Sequence, residues 1–238
     1  MTRRWTRARR RALFTTAGVA LAVLGWVAAP HVLRHVAFFR VRQIELVGVR
    51  NLAPDAVIAA LGLPERASVF IDTRLLADRL QRLAGVAEAR VVRRLPWALA
   101  IELKEVEPAA LVRGPRGRGL VVVDGAGHAL PFDPARAGVD LPIAASADSG
   151  IVGILALIQA VDPALFQTIT GARGFARRDV LLEIGARRVL VGRDAGPDVI
   201  RAVAWVAEDL AAKRRAYTEL DARFGGQVVV RRKPSAGA

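Results

Sequence analysis

A chain of 238 residues allows one large domain or two small ones, and a composition that is 53% hydrophobic is too apolar for wholesale disorder. The formal charge of +14 would favour nucleic acid or an anionic membrane as partner, but nine arginines (Arg3, Arg4, Arg7, Arg9, Arg10, Arg11, Arg34, Arg40 and Arg42) and no acidic residue precede Glu45. Residues 45–238 hold 27 basic against 22 acidic residues, or +5, so the excess is terminal, and the absence of cysteine excludes a disulfide scaffold, thiolate metal sites and a cysteine nucleophile.

Between Arg11 and Arg34 lie 22 residues without formal charge, and residues 12–29 are apolar or small throughout. At about 1.5 Å per residue such a stretch reaches roughly 30 Å, the thickness of a hydrocarbon core. Residues 12–33 are therefore expected to form one membrane helix, with Trp26 near its far interface and Pro30 at its exit. A signal peptide is the rival reading. Its apolar region would span about 7 to 15 residues, and the small-x-small site at Val27-Ala28-Ala29 runs directly into Pro30, a poor cleavage context. The basic tail 1–11, with Arg3, Arg4, Arg7, Arg9, Arg10 and Arg11, orients the N-terminus in the cytoplasm and sends residues from about 34 onward across the membrane. An exported body rarely meets DNA, and a chain that is 5% aromatic lacks the stacking platforms of nucleic-acid binders.

Beyond the membrane segment, residues 42–49 alternate Ile44 and Leu46 with polar neighbours and end at Gly48, as a strand does. Pro54 opens a helix with Val57, Ile58 and Leu61 on one face and Gly62 as its stop. Asp72 or Thr73 caps a second helix whose Leu76, Leu80 and Leu83 recur at i, i+4 and i+7 before Gly85. Residues 86–94 and 97–106 read as strands joined by a turn at Leu95-Pro96, so the order is β-α-α-β-β.

These residues carry a resemblance. Phe38-Phe39-Arg40-Val41, Ile44-Glu45-Leu46-Val47-Gly48, Leu83-Ala84-Gly85-Val86, Arg93-Arg94-Leu95-Pro96 and Glu105-Val106-Glu107-Pro108 resemble the POTRA domain of the FtsQ/DivIB family of bacterial cell-division proteins. The family's layout of a cytoplasmic tail, one membrane helix, a POTRA domain and a second β domain is also similar. The resemblance implies an α+β fold with a POTRA domain over 38–108, a mixed α/β domain with a mainly antiparallel sheet over 109–232, and a flexible tail over 233–238.

In the second domain, residues 120–123 are β-like and Asp124-Gly125-Ala126-Gly127 has turn composition before residues 128–132. A helix is expected over 151–160, paired strands over 180–184 and 188–192 around Gly185-Ala186, and a long helix over 197–212 with Val199, Val203, Val206 and Leu210 inward. Residues 217–224 and 227–232 read as a closing hairpin across Gly225-Gly226. The run 220–230 is similar to the family's Val-Asp-Leu-Arg-Tyr-x-x-Gly-x-x-Val, departing at Ala222, Phe224 and Gln227. A terminal hairpin leaves a sheet edge to which a partner strand can add. The resemblance implies that this region captures FtsB, which associates with FtsL, while the POTRA domain meets other divisome proteins. On that footing Arg223, Phe224 and Arg178 are side-chain candidates and Gln227, Val228, Val229 and Val230 supply the edge. The other reading is that Arg223 and Phe224 simply finish the domain's own sheet.

Catalytic sets are thin. His128 follows Asp124 by four residues, and Ser146 and Ser149 sit outside any nucleophile-elbow pattern. His31 and His35 are spaced i, i+4 without a third ligand. Gly114, Gly117 and Gly119 read as an interdomain or intrahairpin loop, and Glu102, Glu105 and Glu107 as the solvated side and end of a strand. No enzyme, cofactor, metal or small-molecule substrate is expected. The implied role is a bitopic inner-membrane scaffold of the division septum, set against an envelope chaperone or transport subunit bearing POTRA domains, and against an envelope hydrolase.

Overall fold

The computed structural model describes residues 36–135 and 141–232. The basic tail 1–11, the expected membrane helix 12–33, His31, His35 and the tail 233–238 lie outside them. Among the described residues no helix is long and apolar enough to cross a membrane.

The chain divides into two compact units, the first holding the described residues up to Val49 together with Pro54–Lys104. It contains β1 (Gln43–Val47), α1 (Pro54–Leu61), α2 (Thr73–Gln81), β2 (Val86–Arg94) and most of β3 (Ala98–Glu105). The strands order β1-β3-β2, with β3 parallel to β1 in the register Ile44↔Leu99 and Leu46↔Ile101. Central β3 is buried from Ala98 through Ile101, so its strict alternation in the sequence understates its burial. Val57, Leu61, Leu76, Leu80, Leu99 and Ile101 are fully buried and form the core. Asp72, not Thr73, caps α2, accepting the N–H groups of Arg74 and Leu75 at 2.9 and 3.3 Å. Helix α2 ends at Gln81, one turn earlier than the leucine spacing implies.

The second unit comprises Arg50–Ala53 and the described residues from Glu105 onward. Its strands are β4 (Ala110–Arg113), β5 (Leu120–Val123), β6 (Ile143–Ala144), β7 (Gly171–Phe175), β8 (Asp179–Ile184), β9 (Arg187–Gly192), β10 (Glu219–Asp221) and β11 (Val229–Arg231). Its helices are α3 (Ser149–Val161), α4 (Pro163–Thr168) and α5 (Pro197–Ala212). One sheet runs β11-β10-β9-β8-β7-β6-β4-β5. Four of its seven junctions are antiparallel and three parallel, so the sheet is mixed. Short β4, β6, β7 and α4 carry too little periodicity to be read from sequence. Residues 114–119 form the loop inside the β4–β5 hairpin. Residues 128–132 contribute only a bridge from Ala129 to Val123. On α5 the inward face is Ile200, Val203, Ala204 and Leu210, while Val199 and Val206 are half-buried.

Glu105 overturns its expected solvated role. Its carboxylate accepts backbone N–H groups from Arg50 at 2.8 Å, Asn51 at 2.9 Å and Leu52 at 2.9 Å, plus the Asn51 side-chain amide at 3.0 Å. One carboxylate thus replaces water for a whole turn of backbone donors, which local periodicity could not reveal. Glu105→Ala is expected to cost about 2 kcal/mol in chemical denaturation, with Glu105→Gln recovering only part of it. Glu102 and Glu107 do remain at the surface, facing Arg90 at 3.9 Å and Gln159 at 3.4 Å respectively.

Candidate partner-binding edge

Strand β10 lies between β9, to which it is parallel, and β11, to which it is antiparallel, so β11 ends the sheet. The sequence expects long strands over 217–224 and 227–232, whereas each strand of this hairpin has three residues. The chain leaves the ladder at Arg223 because that side chain turns inward. Its Nε and one terminal nitrogen donate to the two oxygens of Asp221 at 2.8 and 2.7 Å, and its other terminal nitrogen donates to Asp179 at 2.9 Å. Residues 222–228 then form a wide turn in which the Gln227 N–H meets the Phe224 carbonyl at 3.1 Å, and Gly226 takes a left-handed φ of 73°.

Asp221 is completely buried and sits below the ordinary carboxylate range, because Arg223 hydrogen-bonds its charged form more strongly than burial penalises it. Arg223 is correspondingly pushed up, first by Asp221 and then by Asp179. Arg231 adds a second cation, 3.7 Å from Asp221 and 3.3 Å from Glu219. The Arg223 guanidinium also lies 5.9 Å from the ring centres of both Phe175 and Phe224. Its donors are thereby engaged within the domain.

Around this anchored arginine the structure gathers most of the sequence candidates. Phe224 is 54% exposed and Val229 is exposed, while Val228 and Val230 are half-buried and Gln227 lies on the turn. Arg178 is exposed in the turn ahead of β8, directly before Asp179, and among the described residues no carboxylate lies within ion-pair distance of it. Phe175, exposed beside Arg223, was not legible as part of this cluster, since only the pairing of β7 with β8 brings it there. Another feature hidden in sequence is Arg193, which donates to both oxygens of Asp148, the cap of α3, at 2.9 and 3.0 Å and holds that carboxyl below its usual range. Asp124 organises the turn on which His128 sits, accepting the Ala126 and His128 backbone N–H groups at 2.9 and 2.8 Å, and its other oxygen lies 3.2 Å from Nδ1 of the His128 ring.

The two ends of the sheet differ. At β5 the chain covers its own edge, with the Leu130 N–H bound to the Val122 carbonyl at 2.8 Å and the Asp124 N–H to the His128 carbonyl at 3.0 Å. At β11 no strand covers the outer side among the described residues. An uncovered edge in a domain that also exposes Phe224 and Arg178 is chemically suited to adding a strand that carries acidic side chains.

Residues 39–105 match the family model described as POTRA domain, FtsQ-type. They form an FtsQ-type POTRA domain. Over most of its length the chain is 26% identical to the cell division protein FtsQ of Zymomonas mobilis, across 204 residues that cover 82% of this chain and 62% of that protein. It is 33% identical to that of Salinibacter ruber over 128 residues (52% and 46%) and 35% identical to that of Anaeromyxobacter sp. over 144 residues (59% and 48%). The chain thus spans about half to three fifths of the length of these curated relatives. The POTRA domain accounts for the first unit's β-α-α-β-β order.

Proposed function

We propose that this chain is a non-catalytic scaffold of the cell-division machinery, of the FtsQ type. It spans the inner membrane once through residues 12–33, with its N-terminus in the cytoplasm and its body in the periplasm at the septum. The POTRA domain over 38–108 recruits other divisome proteins, and the domain over 109–232 captures FtsB, with its associate FtsL, by strand addition to β11. Through that capture it controls septal peptidoglycan synthesis without catalysing it. The observation that carries the reading is the asymmetry of the eight-stranded sheet, closed at β5 by the chain's own segment and, among the described residues, open at β11. The named relatives support the cellular role.

In this reading Arg223 is a positioning residue that locks Phe224 and the turn, and Arg178 is the cation that meets a partner's acid. Depletion of the protein is expected to block septation, and FtsB and FtsL should co-purify with the full chain; normal septation with neither partner recovered would sink the proposal. Phe224→Ala should weaken capture by at least about tenfold, the usual loss at an exposed aromatic anchor, without lowering the melting temperature. Unchanged affinity in a titration would remove the edge from the interface.

A further inference from the structure

A separate surface lies at one end of the POTRA domain, and its interpretation rests on the membrane anchor proposed above. Phe38 is 53% exposed, Leu95 63% and Trp97 39%. Isolated apolar side chains at a surface are ordinary, but Phe38 and Trp97 are joined: the Phe38 ring meets Phe39 edge-on at 5.2 Å and Trp97 at 6.0 Å, and Phe39 meets Phe70 at 5.2 Å. Three chain segments are knit beneath them. The Arg42 N–H binds the Trp97 carbonyl at 2.9 Å, the Val41 N–H that of Ala67 at 2.8 Å, and the Val69 N–H that of Phe39 at 2.8 Å. The aromatics therefore stand on a fixed platform.

The platform is ringed by cations. Arg40, Arg42, Arg66 and Arg94 are exposed, and none of them forms an ion pair among the described residues. Arg93 uses two of its nitrogens on the carbonyls of Val69 and Ile71, each at 2.9 Å, which fixes its charge at the same end. Asp72, the acidic residue that lines the hollow beside them, already caps α2. A hollow of about 700 Å³, lined in part by Arg66, Ser68, Phe70 and Arg93, opens among these charges.

Chain length adds the decisive constraint. Phe38 follows residue 33 by five residues, which at about 3.5 Å each places it no more than about 18 Å from the end of the proposed membrane helix. Amphipathic aromatics with arginines beside them suit the headgroup layer, where the rings partition into the interface and the guanidinium groups bind lipid phosphates. We propose that this aromatic and arginine platform docks on the anionic headgroup surface of the membrane that anchors the chain, and so fixes the orientation of the POTRA domain.

The full chain can report this directly. Trp5, Trp26 and Trp205 are replaced by Phe, leaving Trp97 as the single fluorophore, and the protein is reconstituted into vesicles of phosphatidylglycerol or phosphatidylcholine carrying dibrominated acyl chains. Trp97 emission is expected to be blue-shifted and quenched in phosphatidylglycerol. Reversal of Arg40, Arg42 or Arg94 to Glu should lower the ratio of docked to undocked protein by at least about fivefold per arginine at low salt, and Phe38→Ser should lower it further. The three arginines are exposed and unpaired among the described residues, so melting temperatures of their variants should not change. Water-like, unquenched Trp97 in a chain that resists alkaline extraction would overturn the docking and leave the anchor standing. Quenching equal in both lipids and indifferent to the arginine reversals would also overturn it. Release of the chain by alkaline extraction would overturn the anchor itself, and the docking with it.

Discussion

Asp221→Ala is expected to destabilise the C-terminal domain by about 2–3 kcal/mol, the cost of breaking a buried, hydrogen-bonded ion pair, reduced because Arg223 can still reach Asp179. Asp221 is wholly excluded from solvent, and its two oxygens take paired donors from Arg223. Removing it strips β10 of the group that turns the chain out of the ladder, so the wide turn and β11 should loosen together. The sign of the pH dependence is set by the same pair. Because the folded state lowers the carboxyl's affinity for protons, its contribution is complete above the unfolded value of about 3.9 and disappears as pH falls through the lower folded value. Wild-type protein should therefore keep its hairpin below about pH 4. In Arg223→Leu the side-chain hydrogen bonds vanish and burial is opposed only by the residue 223 backbone N–H and by Arg231, so acid unfolding should begin at a higher pH. Equilibrium denaturation across pH 3 to 7 tests both statements, roughly the range in which carboxylates titrate. An acid limb shared by wild type and Arg223→Leu would show that the pair contributes nothing.

Gly48→Ala is expected to cost about 3 kcal/mol or more in the POTRA domain, from two additive sources. Gly48 follows β1 with a φ of 86°, a conformation that costs an L-residue about 1–2 kcal/mol. A methyl group there would also drive into the Leu103 carbonyl oxygen of the neighbouring strand, backbone that cannot move without breaking β3. Substitution by Ala at Gly185, which has a left-handed φ of 58° but open space around it, isolates the conformational share. Equal losses at the two positions would show that the close approach to Leu103 contributes little.

Some of this was plain in the order of residues. Period-2 alternation at Ile44 and Leu46, the i, i+4 recurrence of Leu76 and Leu80, the Asp72 cap and the stop at Gly62 are local signals, each set by the geometry of one element, and they placed β1, α1, α2, β2 and β3. On α5 the same reading slipped by one position, finding Val203 and Leu210 but passing over Ile200 and Ala204, because the face a helix buries depends on what packs against it. The candidate cluster was legible as residue types around the closing hairpin, and the structure does gather Arg178, Phe224 and the valines there.

The sequence by itself determined a set of local elements, a one-sided charge distribution and a recognisable run of POTRA residues. Only the tertiary structure decided where side chains separated by tens of residues meet. Glu105 satisfies backbone donors more than fifty positions away, Arg223 is spent on Asp221 and Asp179 rather than held out to solvent, and among the described residues β5 is covered while β11 is open. Periodicity records which face of an element is apolar. It carries no record of which distant donor a carboxylate will find, since that choice is made by the free energy of burying polar groups together once the sheet has closed.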